Sequence, residues 1–168
     1  VIGYQPAAGS AGEWFGPMYF EGLVDNSESN RARFQEFLKN RYINVTALRT
    51  AWGDGSVDFE NVTIPPNIPG SGLGEIRNPL DYTIVITPEY KKYVDYEDYY
   101  SAVLADAIAR ICKTIKEASD NRSIAMSYFG YHSEVRTPFS GSFGLYKLLK
   151  CEYIDALSAP VSYSDRNS

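Results

Sequence analysis

Apolar positions recur along this chain with two different periods. The run Val1-Ile2-Gly3-Tyr4, continuing to Ala8, predicts a short buried strand. Asp25, Asn26 or Ser27 can cap a helix with Glu28 in its first turn, and Phe34, Phe37, Leu38 and Tyr42 then fall on one helical face. A second short helix is predicted over Val45 to Trp52, stopped by Gly53. Residues 54 to 88 hold most of the prolines and many glycines, which predicts a long loop. A long helix follows, from Pro88 or Asp95 to Ala118. Its apolar stripe is Tyr96, Tyr100, Val103, Leu104, Ala107, Ile108, Ile111 and Ile115, and Asp120-Asn121 ends it. Ile124 to Gly130 predicts a second strand, Gly141 to Gly144 a loop, Leu145 to Leu149 a short helix, and Tyr153 to Ser158 a third strand.

The order β, α, β, α, β implies parallel strands joined by helical crossovers. Three strands are few for a finished α/β domain, and both outer strands would leave unpaired edges. The expected fold class is therefore α/β, with the strands forming part of a larger barrel and residues 1–168 forming a single fragment of it. Val1 in place of Met, and a strand at the very start, predict a cleaved, truncated or excised chain. An uncovered sheet predicts association with the remainder of a parent barrel, or self-association.

Composition narrows the function classes. The 168 residues carry a net charge of −5, which speaks against nucleic acid. No run approaches the roughly 18 apolar residues of a membrane span, and no signal-peptide pattern occurs. Cys112 and Cys151 have no metal-ligand spacing, and Cys112 falls in the apolar helical pattern, where burial is expected. Asn44-Val-Thr46, Asn61-Val-Thr63 and Asn121-Arg-Ser123 are glycosylation tripeptides of the kind that arise often by chance. The aromatic fraction, 14%, stands out, with fourteen Tyr, eight Phe and two Trp. Rings with an apolar face and a polar edge suit sugars, and they equally suit a Tyr-rich core.

In a parallel α/β barrel the chemistry gathers at the C-terminal ends of the strands. Those ends carry Glu13-Trp14, then Tyr131-His132 with Glu134 beyond, then Pro160 to Tyr163. Glu13 is the candidate acid: glycoside cleavage needs a carboxylic acid to protonate the leaving oxygen, and an adjacent ring such as Trp14 helps hold the proton by excluding water. Read locally, an ordinary loop carboxylate beside a packing Trp is the favoured reading. His132, the one histidine, is a candidate substrate contact, and no second His or Cys stands where a metal would need it. Ser127 and Ser162 lack a nucleophile-elbow setting, and Gly70-Ser-Gly-Leu-Gly74 follows prolines rather than a strand, which argues against a phosphate loop.

Several stretches taken together carry a family resemblance. They are Arg33-Phe-Gln-Glu-Phe-Leu-Lys-Asn-Arg-Tyr42, Ala47-Leu-Arg-Thr-Ala-Trp-Gly53, Asp58-Phe-Glu60 with Val62 and Pro65-Pro66, Tyr128-Phe-Gly-Tyr131, and Ile154-Asp-Ala-Leu-Ser-Ala-Pro-Val-Ser-Tyr163. In this order they resemble the region from the fourth to the sixth strand of the family 42 β-galactosidases, and Leu48-Arg-Thr-Ala-Trp-Gly53 is the most specific stretch. The resemblance implies a partial (β/α)8 TIM barrel and a retaining glycosidase without cofactor or metal. Glu13 would be its acid/base, and Trp14, Tyr131, His132 and Tyr163 would line the sugar subsite. The nucleophilic Glu would follow the seventh strand, beyond Ser168. The family usually has Asn before the acid/base, and here the residue is Gly12. That departure points to a divergent subgroup and keeps a second reading open, a carbohydrate-binding or pseudo-enzyme barrel segment. A stand-alone α/β domain is the third reading.

Overall fold

The computed structural model describes residues 1–7, 14, 25–66, 87–129 and 142–159. Their order is β1 (Gly3–Tyr4), α1 (Glu28–Arg41), α2 (Val45–Trp52), α3 (Pro88–Ala118), β2 (Ile124–Tyr128), a 3-10 turn (Ser142–Gly144), α4 (Leu145–Leu149) and β3 (Ala156–Ser158). The chain divides into two compact units: a helical unit of residues 17–99, and a sheet unit of residues 1–16 and 100–168. The first turns of α3 count with the helical unit and the rest with the sheet unit.

In the helical unit the sequence signals for helix ends are met by specific hydrogen bonds. Ser27 caps α1, its side chain accepting from Asn30 N–H, and Asn44 caps α2 by accepting from Ala47 N–H. Gly53 closes α2 with φ 62°, a left-handed conformation that a side chain at this position would strain. A Cβ there would also come within 2.9 Å of Pro88 Cβ, so this glycine permits the close approach of the end of α2 to the start of α3. Phe34 and Leu38 are wholly buried, and Phe34 meets Tyr96 edge-on at 5.2 Å. Tyr42 does not extend the α1 helical face as its spacing suggested. It is the C-cap, in extended backbone, because its hydroxyl is drawn to a carboxylate on α3.

The sheet unit holds three parallel strands in the order β1-β2-β3. Gly3 and Tyr4 pair with Ile124 and Ala125, and Met126, Ser127 and Tyr128 pair with Ala156, Leu157 and Ser158. The remainder of α3 covers one face through Leu104, Ala105, Ile108 and Cys112, which pack with Ala125, Phe129 and Leu148. Gly144 lets the 3-10 turn sit against α3, since a Cβ there would stand 2.4 Å from the Ser101 carbonyl oxygen. Asp120 and Asn121 end α3 in left-handed backbone, and Asn121 N–H reaches back to Lys116 O at 2.9 Å.

The predicted elements are recovered with shorter strands. β1 pairs only at Gly3 and Tyr4, and Val1 and Ile2 are exposed rather than buried. β3 begins at Ala156 instead of Tyr153. The chain there first turns through Ile154 N–H to Cys151 O, and Asp155 then clamps Ala125, its N–H donating to Ala125 O at 2.9 Å and its carboxylate accepting from Ala125 N–H at 2.7 Å. Ile111 leaves the predicted stripe for solvent, because Cys112 takes the inward position beside Ile108. Within the expected loop of residues 141–144, residues 142–144 form the 3-10 turn. No helix of the described residues is long and apolar enough to cross a membrane.

Candidate active site

The parallel strands set a direction: their C-terminal ends, at Tyr4, Tyr128 and Ser158, lie at the same end of one sheet. Just beyond β1 stands Trp14, half-buried, its indole N–H donating to the Pro6 carbonyl at 3.3 Å. The ring also packs against the core formed by Leu104, Ile108 and Phe129. Two contacts thus fix the ring next to the end of β1, and its one hydrogen-bond donor is already used. Any ligand at Trp14 would meet an aromatic face rather than a donor. Glu13, Tyr131, His132 and Tyr163 lie outside the described residues.

A second cluster, in the helical unit, was not anticipated from sequence. Asp95 on α3 is wholly buried and takes donors on both carboxylate oxygens. Oδ2 accepts from the Tyr42 hydroxyl at 2.6 Å and from the Trp52 indole at 2.8 Å. Oδ1 faces Arg41 Nε at 3.1 Å and Lys91 Nζ. Arg41 also reaches Asp98 at 2.6 Å, so two cations are balanced by two carboxylates. Burial, and then the bond to Asp95, push the Tyr42 hydroxyl well above its ordinary pKa, so it remains a donor. Arg41, Tyr42 and Trp52 belong to the most recognisable stretches of the sequence. Here they join α1, α2 and α3 through one carboxylate, which is an architectural role. The sequence did carry a signal for it: Asp95 directly precedes the buried Tyr96 and lies four positions before the buried Tyr99, a charge on an apolar face.

Asn30 acts in a comparable way on two tyrosines of the same unit. It is buried in the first turn of α1, donates to the Tyr96 hydroxyl at 3.2 Å and accepts from the Tyr99 hydroxyl at 2.7 Å. The polar edges of a Tyr-rich core are satisfied this way, so some of the aromatic excess serves packing and not ligand binding.

Glu97 differs from these groups. It is 2% exposed, and one of its carboxylate oxygens has no hydrogen-bond partner. Burial, with a smaller contribution from Asp98, raises its pKa to about 8. The unfolded chain loses this proton near pH 4.5, whereas the folded chain keeps it until about pH 8. Stability therefore falls as pH rises through that interval and levels off above it. Glu97→Gln is expected to raise stability clearly at pH 8, where the carboxylate must ionise inside the fold, and to leave it nearly unchanged at pH 4. Urea titrations at the two pH values measure the difference, and an equal shift at both would show that ionisation is not the cause.

A cavity of about 490 Å³ lies between the end of α2 and the start of α3, lined by Trp52, Gly53, Asp54, Thr87, Pro88, Glu89 and Lys92. It contains none of the strand-end residues, and its nearest aromatic, Trp52, is already bound to Asp95.

A family model described as "Beta-galactosidase", for glycoside hydrolase family 42, matches residues 21–141, well over half of the chain. The matched span contains the whole Asp95 cluster together with Tyr131 and His132, and begins eight residues after Glu13. No curated protein and no solved structure gives a match.

Proposed function

This chain belongs to glycoside hydrolase family 42, and we propose that it supplies the acid/base half of a retaining β-galactosidase-like active site in a (β/α)8 barrel. Residues 1–168 would form a single segment of that barrel, from its fourth to its sixth strand. The observation that carries this reading is the anchored indole of Trp14 just past β1, at the end of a parallel sheet where barrel enzymes keep their chemistry. Glu13 is its chain neighbour. In this reading Glu13 protonates the glycosidic oxygen as the bond breaks, then takes a proton from water to release the covalent glycosyl intermediate. Trp14 offers its face to the sugar, and Tyr131, His132 and Tyr163 complete the subsite. The nucleophilic carboxylate belongs to a later strand of the parent barrel.

A carboxylate pair is indispensable to this mechanism, so the isolated 168-residue chain is expected to release no product from an aryl β-galactoside. The parent enzyme should release it with retention of the anomeric configuration, followed by proton NMR of the first product formed. Turnover by the isolated chain, or inversion by the parent, would sink the proposal. Binding of galactosides by the parent without turnover would instead assign the barrel to carbohydrate binding, the reading that Gly12 in place of Asn also suits.

A further inference from the structure

Cys112 and Cys151 are not used by the chemistry described above, and both thiols are free. Cys112 lies on the inward face of α3, fully enclosed among Ile108, Ala125 and Leu148. Cys151 is half-buried on the turn from α4 to β3, where its N–H donates to Leu148 O at 3.0 Å and its carbonyl accepts from Ile154 N–H at 3.3 Å. Leu148 thus touches both positions, one through the core and one through the backbone.

This turn meets α3 at two places. Lys116 Nζ meets Asp155 at 2.5 Å, and three residues earlier Lys113 Nζ lies 5.6 Å from the centre of the Tyr153 ring. Cys112 lies one helical turn before Lys116 on α3, and Cys151 lies one turn before Asp155, its carbonyl accepting from Ile154 N–H, so the two cysteines belong to neighbouring segments. Tyr153 and Ile154 pack on the same cluster that encloses Cys112. Consistent with that placement, burial and then the Cys151 thiol raise the pKa of Cys112.

The geometry points to Cys112 and Cys151 as an oxidation site, an intrachain disulfide that fastens α3 to the turn leading into β3. The more accessible thiol reacts first. The Cys151 thiolate attacks hydrogen peroxide, the O–O bond breaks, hydroxide leaves, and Cys151 becomes a sulfenic acid. The Cys112 thiolate then attacks that sulfur, the S–S bond forms, and the displaced hydroxide leaves as water with the thiol proton. Together the two thiols give up two electrons and two protons, and one peroxide becomes two waters. The bond closes a loop from residue 112 to residue 151, long enough to restrict the unfolded chain substantially.

The test treats the whole chain with hydrogen peroxide, blocks remaining thiols by alkylation, and maps the peptides by mass spectrometry. A peptide containing Cys112 joined to one containing Cys151, released by dithiothreitol, is the expected result. The thermal midpoint should rise by roughly 5–10 °C on oxidation and return on reduction. Cys151→Ser, at a half-exposed position, should fold normally and show neither change. The inference is overturned if both thiols remain open to alkylation after treatment, or if Cys151 pairs between chains while Cys112 stays reduced.

Discussion

A full-length enzyme carrying Glu13→Gln is expected to lose about 10²–10⁴-fold in kcat/KM toward an alkyl β-galactoside, with much less loss toward a dinitrophenyl glycoside. The asymmetry follows from the proposed acid/base role. A poor leaving group departs only if an acid hands it a proton, whereas a dinitrophenolate departs unaided. A residue that merely shaped the pocket would slow both substrates alike. The second half of the role has its own signature: in Glu13→Ala, azide should restore release of the intermediate and yield a glycosyl azide, since azide attacks without a general base. Steady-state kinetics across leaving groups, with product analysis in azide, test both halves. Equal losses on all substrates would remove Glu13 from the acid/base position.

The largest effect on stability is expected at Asp95. Asp95→Ala should cost about 3–5 kcal/mol, because it strands Arg41 and Lys91 against a vacated site and leaves the Tyr42 hydroxyl and the Trp52 indole without an acceptor. Asp95→Asn should fall between, since it keeps one acceptor oxygen for Tyr42 and Trp52 but turns an amide toward the cations. Much of the damage comes from uncompensated charge, so adding Lys91→Met to Asp95→Ala should recover some of it. Guanidinium titrations of the three variants measure these differences. A loss below about 1 kcal/mol for Asp95→Ala would mean that the four donors find water as readily as they find the carboxylate.

The two kinds of site were not equally legible in the sequence. α2 was readable to the residue, with Gly53 as its stop signal, and the end of α3 at Ala118 was readable from Asp120-Asn121, while its start stood open between Pro88 and Asp95 and lies at Pro88. The strands were overextended, since an apolar run does not say how far its neighbour pairs. Val1 and Ile2 look like strand residues, but β1 pairs with β2 only at Gly3 and Tyr4. The early residues of the β3 run form a turn that only the Asp155–Ala125 clamp explains, a contact across 30 positions. At the site, the strand pattern and the barrel rule nominated Glu13, and the resemblance gave it the acid/base role. It did not separate the residues that do chemistry from those that hold helices together. Trp52 belongs to the most recognisable stretch in the chain, and its indole serves Asp95.

The span of the Asp95 clamp also bears on the order in which the chain folds. Its partners Tyr42 and Trp52 lie 53 and 43 positions away in sequence. A solvated carboxylate gains nothing until both helices have arrived, and closing loops of that length costs entropy first. The clamp is then among the last contacts to form, so its loss would leave the folding rate nearly untouched and show up almost wholly as faster unfolding. For this chain, the stretches that most clearly mark its family would govern how long the fold lasts more than how quickly it is reached.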